Sequence, residues 1–146
     1  MNRVFVDANI FISFLDENRS SHQSSLKLFE KLYNNDKIIL SQDILTNIVY
    51  CSKKHRQEAV KLIKNINEND AFEIVSFSKD AISKACEYYL KNGNFGLKGE
   101  FEDALQYFCA LKNNCVKIFT DDTSSFPKLE IPLFTSDEVE FFKPEF

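Results

Sequence analysis

Asp7, Asp103, Asp121 and Asp122 are the side chains of this 146-residue sequence best placed to do chemistry. Asp7 directly follows the apolar run Val4-Phe5-Val6, Asp121 and Asp122 follow Val116 to Thr120, and Asp103 opens a helical pattern just before that second run. Carboxylates held close together repel, and each raises the other's pKa unless a cation neutralises them. Mg2+ or Mn2+ is the economical partner, because it prefers oxygen ligands and keeps waters that phosphate oxygens can replace. Such a centre suits phosphodiester hydrolysis: the ion polarises the phosphoryl group, lowers the pKa of the attacking water and stabilises charge on the leaving oxygen. Taken singly, each acid reads first as a solvated loop residue or as a helix N-terminal acid favoured by the macrodipole. Three at equivalent ends of elements are harder to explain that way.

The elements that must position these acids alternate. Val4-Phe5-Val6 reads as a strand that leads through Asp7 into a helix beginning near Ile10-Phe11-Ile12. Leu26, Phe29, Leu32 and Tyr33 predict a helix over residues 22–34, with N-caps offered by the Ser-rich stretch Ser20 to Ser25. Ile38-Ile39-Leu40 is a second strand, ending at Ser41, a good N-cap for the helix carrying Ile44, Leu45, Ile48 and Val49. A helix through Ala59 to Ile66, a strand Phe72 to Val75 and a helix capped near Ser78 follow. All three glycines, Gly93, Gly96 and Gly99, fall in the next stretch, which reads as a mobile loop. A helix from about Glu102, a strand Val116 to Thr120 and a short strand Ile131 to Phe134, with Pro132 favouring an edge, complete the order. Continuous apolar strands alternating with helices predict an α/β fold: a mainly parallel sheet of about five strands, flanked by helices in three layers. Ligands of such sheets bind beyond the carboxyl ends of the strands, where the acids fall.

Length near the modal domain size predicts one domain over 1–146. With 44% hydrophobic residues and fifteen Phe, a packed core is available. A net charge of −4 argues against broad electrostatic binding of nucleic acid and leaves room for a local basic rim. Cys51, Cys86, Cys109 and Cys115 form no CxxC pair and have only His22 and His55 to join them, so buried free thiols in a reducing cytoplasm fit better than zinc or disulfides. No span approaches membrane length, and the apolar stretch before Asp7 is too short for a signal-peptide core. There is no GxSxG, P-loop, GxGxxG or HExxH motif, so acyl transfer, P-loop nucleotide hydrolysis and Rossmann dinucleotide binding lose support.

Val4-Phe5-Val6-Asp7-Ala8-Asn9, Phe101-Glu102-Asp103-Ala104-Leu105-Gln106, Thr120-Asp121-Asp122-Thr123-Ser124-Ser125-Phe126 and the ending Ile131-Pro132-Leu133-Phe134-Thr135, in this order and spacing, resemble the PIN-domain family and, within it, the VapC-like toxins of toxin-antitoxin pairs. The resemblance runs nearly end to end. It implies a PIN-like fold and a Mg2+- or Mn2+-dependent endoribonuclease with Asp7, Asp103 and Asp122 as metal-binding, catalytic acids. Asn9 and Thr120 become orienting groups, though Thr120 also reads as a strand residue capping a turn. The implied substrate is RNA, tRNA or another structured RNA. The implied partners are a second copy in a homodimer and an antitoxin whose basic arm enters the acidic pocket, where Arg or Lys is attracted.

Two positions depart from the family pattern. A Glu is usual six residues after the Ser that opens the second-strand helix, and Asn47 stands there. An amide oxygen can bind a metal, but it carries no charge and cannot act as a base. Asp43, one turn earlier on the same face, reads as a compensating ligand or as a first-turn helix acid. Ser125 stands where relatives often carry another acid, with Asp121 and Glu102 as substitutes or as exposed acids. Lys53, Lys54, His55 and Arg56, with Lys91 and Lys98 beside the glycines, read as phosphate contacts or as solvated surface. Phe141, Phe142 and Phe146 read as a partner surface or as sheet packing.

Asn47 motivates an alternative from another class, an impaired PIN module that binds RNA or protein without cutting. A haloacid-dehalogenase phosphatase needs Asp-x-Asp after the first strand, and Asp7-Ala8-Asn9 lacks the second acid. A response-regulator receiver needs a phosphorylatable Asp after its third strand, and Val75-Ser76-Phe77 lacks it.

Overall fold

A computed structural model of the chain describes residues 1–93 and 100–141, the side chains of 139–141 aside. Expectations for Gly96, Lys98, Gly99, Phe142 and Phe146, and for the side chain of Phe141, lie outside the described residues. The strands are β1 (Asn2–Val6), β2 (Asp36–Ser41), β3 (Phe72–Val75), β4 (Lys117–Phe119) and β5 (Leu133–Phe134). The helices are α1 (Ala8–Leu15), α2 (His22–Asn35), α3 (Gln42–Cys51), α4 (Arg56–Glu68), α5 (Lys79–Asn92) and α6 (Glu100–Lys112), followed by a 3-10 helix, Ser136–Phe141. α6 opens at Glu100, slightly ahead of the expected Glu102.

All strand pairs are parallel, in the order β3-β2-β1-β4-β5. The chain builds outward from β1 through β2 to β3, then crosses to the other side for β4 and β5. Strand order therefore reverses between β1 and β4, where an open α/β sheet leaves a crevice at its carboxyl edge. The register Val6↔Phe119 sets Asp7 beside Thr120 at that point, and the Asp7 amide donates to the Phe119 carbonyl at 3.0 Å.

Central strands read as continuous apolar runs because helices cover both faces. Val4, Phe5, Val6, Ile38, Ile39, Leu40, Ile118 and Phe119 are all buried, whereas edge strand β3 is only half-buried. β5 is the opposite edge, as Pro132 suggested. α1 buries Ile10, Phe11 and Ile12, and α6 buries Ala104, Tyr107, Phe108 and Ala110. The buried Tyr107 hydroxyl accepts from the Ile131 amide at 3.0 Å, tying α6 to the approach of β5. α6 ends in a turn where Asn114 takes φ 60°, the Asn114 amide donates to Leu111 and the Cys115 amide to Ala110. Asn tolerates that left-handed position, and the turn redirects the chain into β4.

Some local details differ from expectation. Ser41 and Ser21 occupy N-cap positions without a side-chain cap bond, and the Ser41 hydroxyl donates to the Asp43 carboxylate. Ser78 does cap α5, accepting from the Ala81 amide at 3.1 Å. Gly93 serves close packing: a Cβ there would stand 2.2 Å from Tyr89 Cδ2. Cys109 and Cys115 are buried free thiols, which burial pushes up to about 11 and about 12. Cys51, expected to be buried, is exposed: it is the last residue of α3, where the chain turns outward into Lys53 and Lys54. No helix among the described residues is long and apolar enough to cross a membrane.

Candidate active site

Asp7 is both the N-cap of α1 and the first wall of the crevice. Its Oδ1 accepts from the Ala8 amide at 2.7 Å, while Oδ2 accepts from the Thr120 hydroxyl at 2.9 Å and from Asn9 Nδ2 at 3.3 Å. Asn9 Nδ2 also donates to Thr120 Oγ1 at 3.1 Å, and the Asp122 amide donates to that same hydroxyl oxygen at 3.2 Å. Asn9 Oδ1 accepts from the Asp121 amide at 3.1 Å. Asn9 and Thr120 thus pin the segment after β4 to the segment after β1 and fix the Asp7 carboxylate between them.

Asp103 stands on the opposite wall, in the first turn of α6. Its Oδ2 accepts from the Ser125 hydroxyl, which also reaches Asp122 Oδ2 at 3.4 Å, and Ser124 Oγ donates to Asp122 Oδ1 at 2.7 Å. Ser125 therefore bridges Asp103 and Asp122. One residue earlier on α6, Glu102 Oε1 accepts from Asn47 Nδ2 at 3.0 Å. Asp43 accepts from Ser41 and, through Oδ2, from Gln106 Nε2 at 2.7 Å.

The electrostatics are those of carboxylates buried near one another. Burial pushes Asp7 up to about 6; the bonds from Thr120 and Ala8 oppose the rise, and the charges of Glu102 and Asp43 add to it. Asp103 is pushed up to about 7, first by burial and then by Asp7, Asp122 and Glu102, against the pull of the Ser125 hydroxyl. Glu102 is raised by burial and by Asp43, with the Asn47 bond offsetting part. No lysine or arginine among the described residues pairs with Asp7, Asp103 or Asp122.

These residues fit a hard divalent cation in kind and charge: oxygen donors, excess negative charge and a position at the switch point of the sheet. Gln106 adds an observation of its own, being buried with its Oε1 left without a partner while its amide donates to Asp43. Among the described residues, no three His, Cys, Asp or Glu side chains are gathered tightly enough to hold an ion, and the Ser125 hydroxyl stands between Asp103 and Asp122.

A PIN-domain family model matches residues 4–132, and Ribonuclease VapC1 of Aquifex aeolicus is 33% identical over 138 residues, covering 93% of this chain and 92% of that protein. The chain belongs to the PIN-domain family. VapC20 of Mycobacterium tuberculosis, a sarcin-ricin loop cleaving toxin, superposes on this PIN domain with a TM-score of 0.66 and 13% identity, covering 87% of this chain and 98% of that one. VapBC2 of Rickettsia felis, solved on a promoter DNA fragment, gives 0.66 and 18% over 91% and 98%. A toxin-antitoxin complex from Klebsiella pneumoniae gives 0.64 and 17% over 90% and 96%. At these identities the likeness to the solved structures is one of fold.

Other expected site residues of the PIN domain are placed elsewhere. Asp121 turns out of the crevice: its Oδ1 accepts from the Ser136 amide at 2.7 Å, and the Ser136 hydroxyl bonds both its oxygens, at 2.9 and 3.0 Å. It caps the 3-10 helix instead of supplementing Asp122. Lys53, Lys54 and Arg56 are exposed at the turn between α3 and α4, where His55 Nε2 lies 3.8 Å from Asp16 Oδ1 just past α1. The Asp7 end of α1 is the other end of a helix about 12 Å long, so this turn stands away from the acids. Gln106 was not singled out by the sequence reading, although its spacing of three and four residues from Asp103 and Glu102 puts it on their face of α6.

Proposed function

We propose that this PIN domain is a metal-dependent endoribonuclease of the VapC toxin type, hydrolysing RNA phosphodiester bonds with Asp7, Asp103 and Asp122 as the acids that hold Mg2+ or Mn2+. The observation that carries this reading is the convergence of those acids at the β1–β4 switch point, where no lysine or arginine among the described residues pairs with them. The bound ion would polarise the phosphoryl group and acidify water. Asp7, fixed by Thr120, Asn9 and the Ala8 amide, supplies the immobile carboxylate. Asp103, held by the Ser125 hydroxyl on the opposite wall, would supply a second carboxylate to the ion.

Structured RNA, including tRNA, is the proposed substrate. The proposed inhibitor in the cytoplasm is an antitoxin whose Arg or Lys neutralises the acids. An apolar groove of about 400 Å3, lined by Phe11, Phe14, Leu26, Phe29, Tyr33 and Leu62, offers such a protein a surface on which to bury area. A homodimer is part of the same proposal.

Asn47 keeps a second reading in view, since its amide replaces a charge: a PIN module that binds RNA or the antitoxin and does not cut. Purified, antitoxin-free protein incubated with total RNA and tRNA, in Mn2+ or Mg2+ and in chelator, decides between them. The nuclease reading predicts cleavage that requires metal and is lost in Asp103→Asn. RNA binding without cleavage under every metal condition would favour the second.

A further inference from the structure

We infer that Glu102 is the fourth acid of the crevice, held toward the metal-binding side by Asn47 across the gap between α3 and α6. The inference rests on the metal-dependent reading above and assigns its remaining ligand. Glu102 lies beside Asp103 in the first turn of α6 and within electrostatic reach of Asp7, Asp103 and Asp43. It is the carboxylate of α6 that is tied by a hydrogen bond to α3. Asn47 supplies the contact that orients it, Nδ2 to Oε1 at 3.0 Å between residues 55 apart in sequence. A residue on α3 that donates to a carboxylate on α6 delivers a negative charge to the site without carrying one itself.

The surroundings of Glu102 point to a cation. Gln106, one turn further along α6, is 1% exposed, and its Oε1 is buried without a partner while its amide is committed to Asp43. Buried acceptors are nearly always satisfied. An unmet oxygen beside a group of carboxylates is a place for a cation and its water, which would satisfy Gln106 and relieve the repulsion among Glu102, Asp43 and Asp103 together.

The plainer possibility is that Asn47–Glu102 is a strut between two helices. Glu102→Gln separates the two, because glutamine Oε1 can still accept from Asn47 while the charge is gone. Mn2+ is titrated calorimetrically into the full chain and into Glu102→Gln, Asn47→Leu, Asp103→Asn and, as a control on exposed α4, Glu58→Gln, with melting curves taken in chelator. Glu102→Gln is expected to weaken Mn2+ binding by about tenfold or more with its chelated melting temperature unchanged or raised, and Asn47→Leu by about three- to tenfold. Glu58→Gln should bind as the parent does. Parental affinity in Glu102→Gln, with Asp103→Asn impaired, overturns this inference and leaves the metal-dependent reading standing. No Mn2+ binding by the unsubstituted chain overturns both.

Discussion

The two walls of the crevice are built on different principles. On the strand wall, Asp7 is fixed by neighbours that follow directly from β1 and β4: the Ala8 amide, Asn9 and the Thr120 hydroxyl. On the helix wall, Asp103 and Glu102 are held by side chains brought from afar, Ser125 and Asn47. The strand wall is a rigid consequence of register, and the helix wall an adjustable set of hydroxyl and amide contacts. Charge is preorganised on the first wall and accommodated on the second.

Removing one carboxylate from each wall should break the site equally. Asp7→Asn and Asp103→Asn are each expected to lower metal-dependent RNA cleavage by about a hundredfold or more, measured as single-turnover rates on tRNA. Retention of activity in either would detach that wall from the chemistry. Thr120→Val tests the rigidity of the strand wall alone. The Thr120 hydroxyl is buried, donates to Asp7 and accepts from Asn9 and the Asp122 amide, so its loss should cost about 1–3 kcal/mol of stability and about ten- to a hundredfold in cleavage. Thr120→Ser should recover most of both, and a valine variant with parental rates would refute the orienting role.

Asp121 and Asp122 sharpen the comparison further, being identical side chains one residue apart with opposite surroundings. Asp121 is saturated by Ser136, and Asp121→Ala should lower stability by about 1–2 kcal/mol in urea melts while cleavage per folded molecule holds. Asp122→Ala should do the reverse. The smallest effect belongs to the adjustable wall: Ser125 holds the Asp103 pKa down, so Ser125→Ala should move the acidic limb of the pH–rate profile upward by a fraction of a unit. A downward shift would contradict that contact.

The same division governs what the sequence could say. Strand, acid and helix follow one another at β1 because a buried parallel strand must be an apolar run and its helix needs a cap. Val4-Phe5-Val6-Asp7 displays both, and so the sheet and its carboxyl edge were legible. Thr120 and Asp122 gained their places from the same logic at β4. The contacts Asn47–Glu102, Asp43–Gln106 and Asp121–Ser136 join residues 55, 63 and 15 apart, and no hydrophobic period encodes which polar side chains meet across a fold. Lys53, Lys54 and Arg56 illustrate the converse: they are close to Asn47 in sequence, but α3 carries the chain away from the crevice before the turn.

The central claim, that the crevice is a set of acids awaiting a cation, has a direct thermodynamic signature. Asp7 and Asp103 have folded pKa values raised from 3.8 to about 6 and about 7. The stability linked to them is therefore full below about pH 4, where both states are protonated, and is lost as pH rises through 6 and 7. Stability in chelator should fall between pH 4 and 7.5, by on the order of 1–3 kcal/mol for Asp7 alone, and the melting temperature should fall with it. Mn2+ should restore the loss at pH 7.5, and Asp7→Asn or Asp103→Asn should flatten the fall. A chelated melting temperature that rises or stays level over that range in the unsubstituted chain, with no response to Mn2+, would contradict the account.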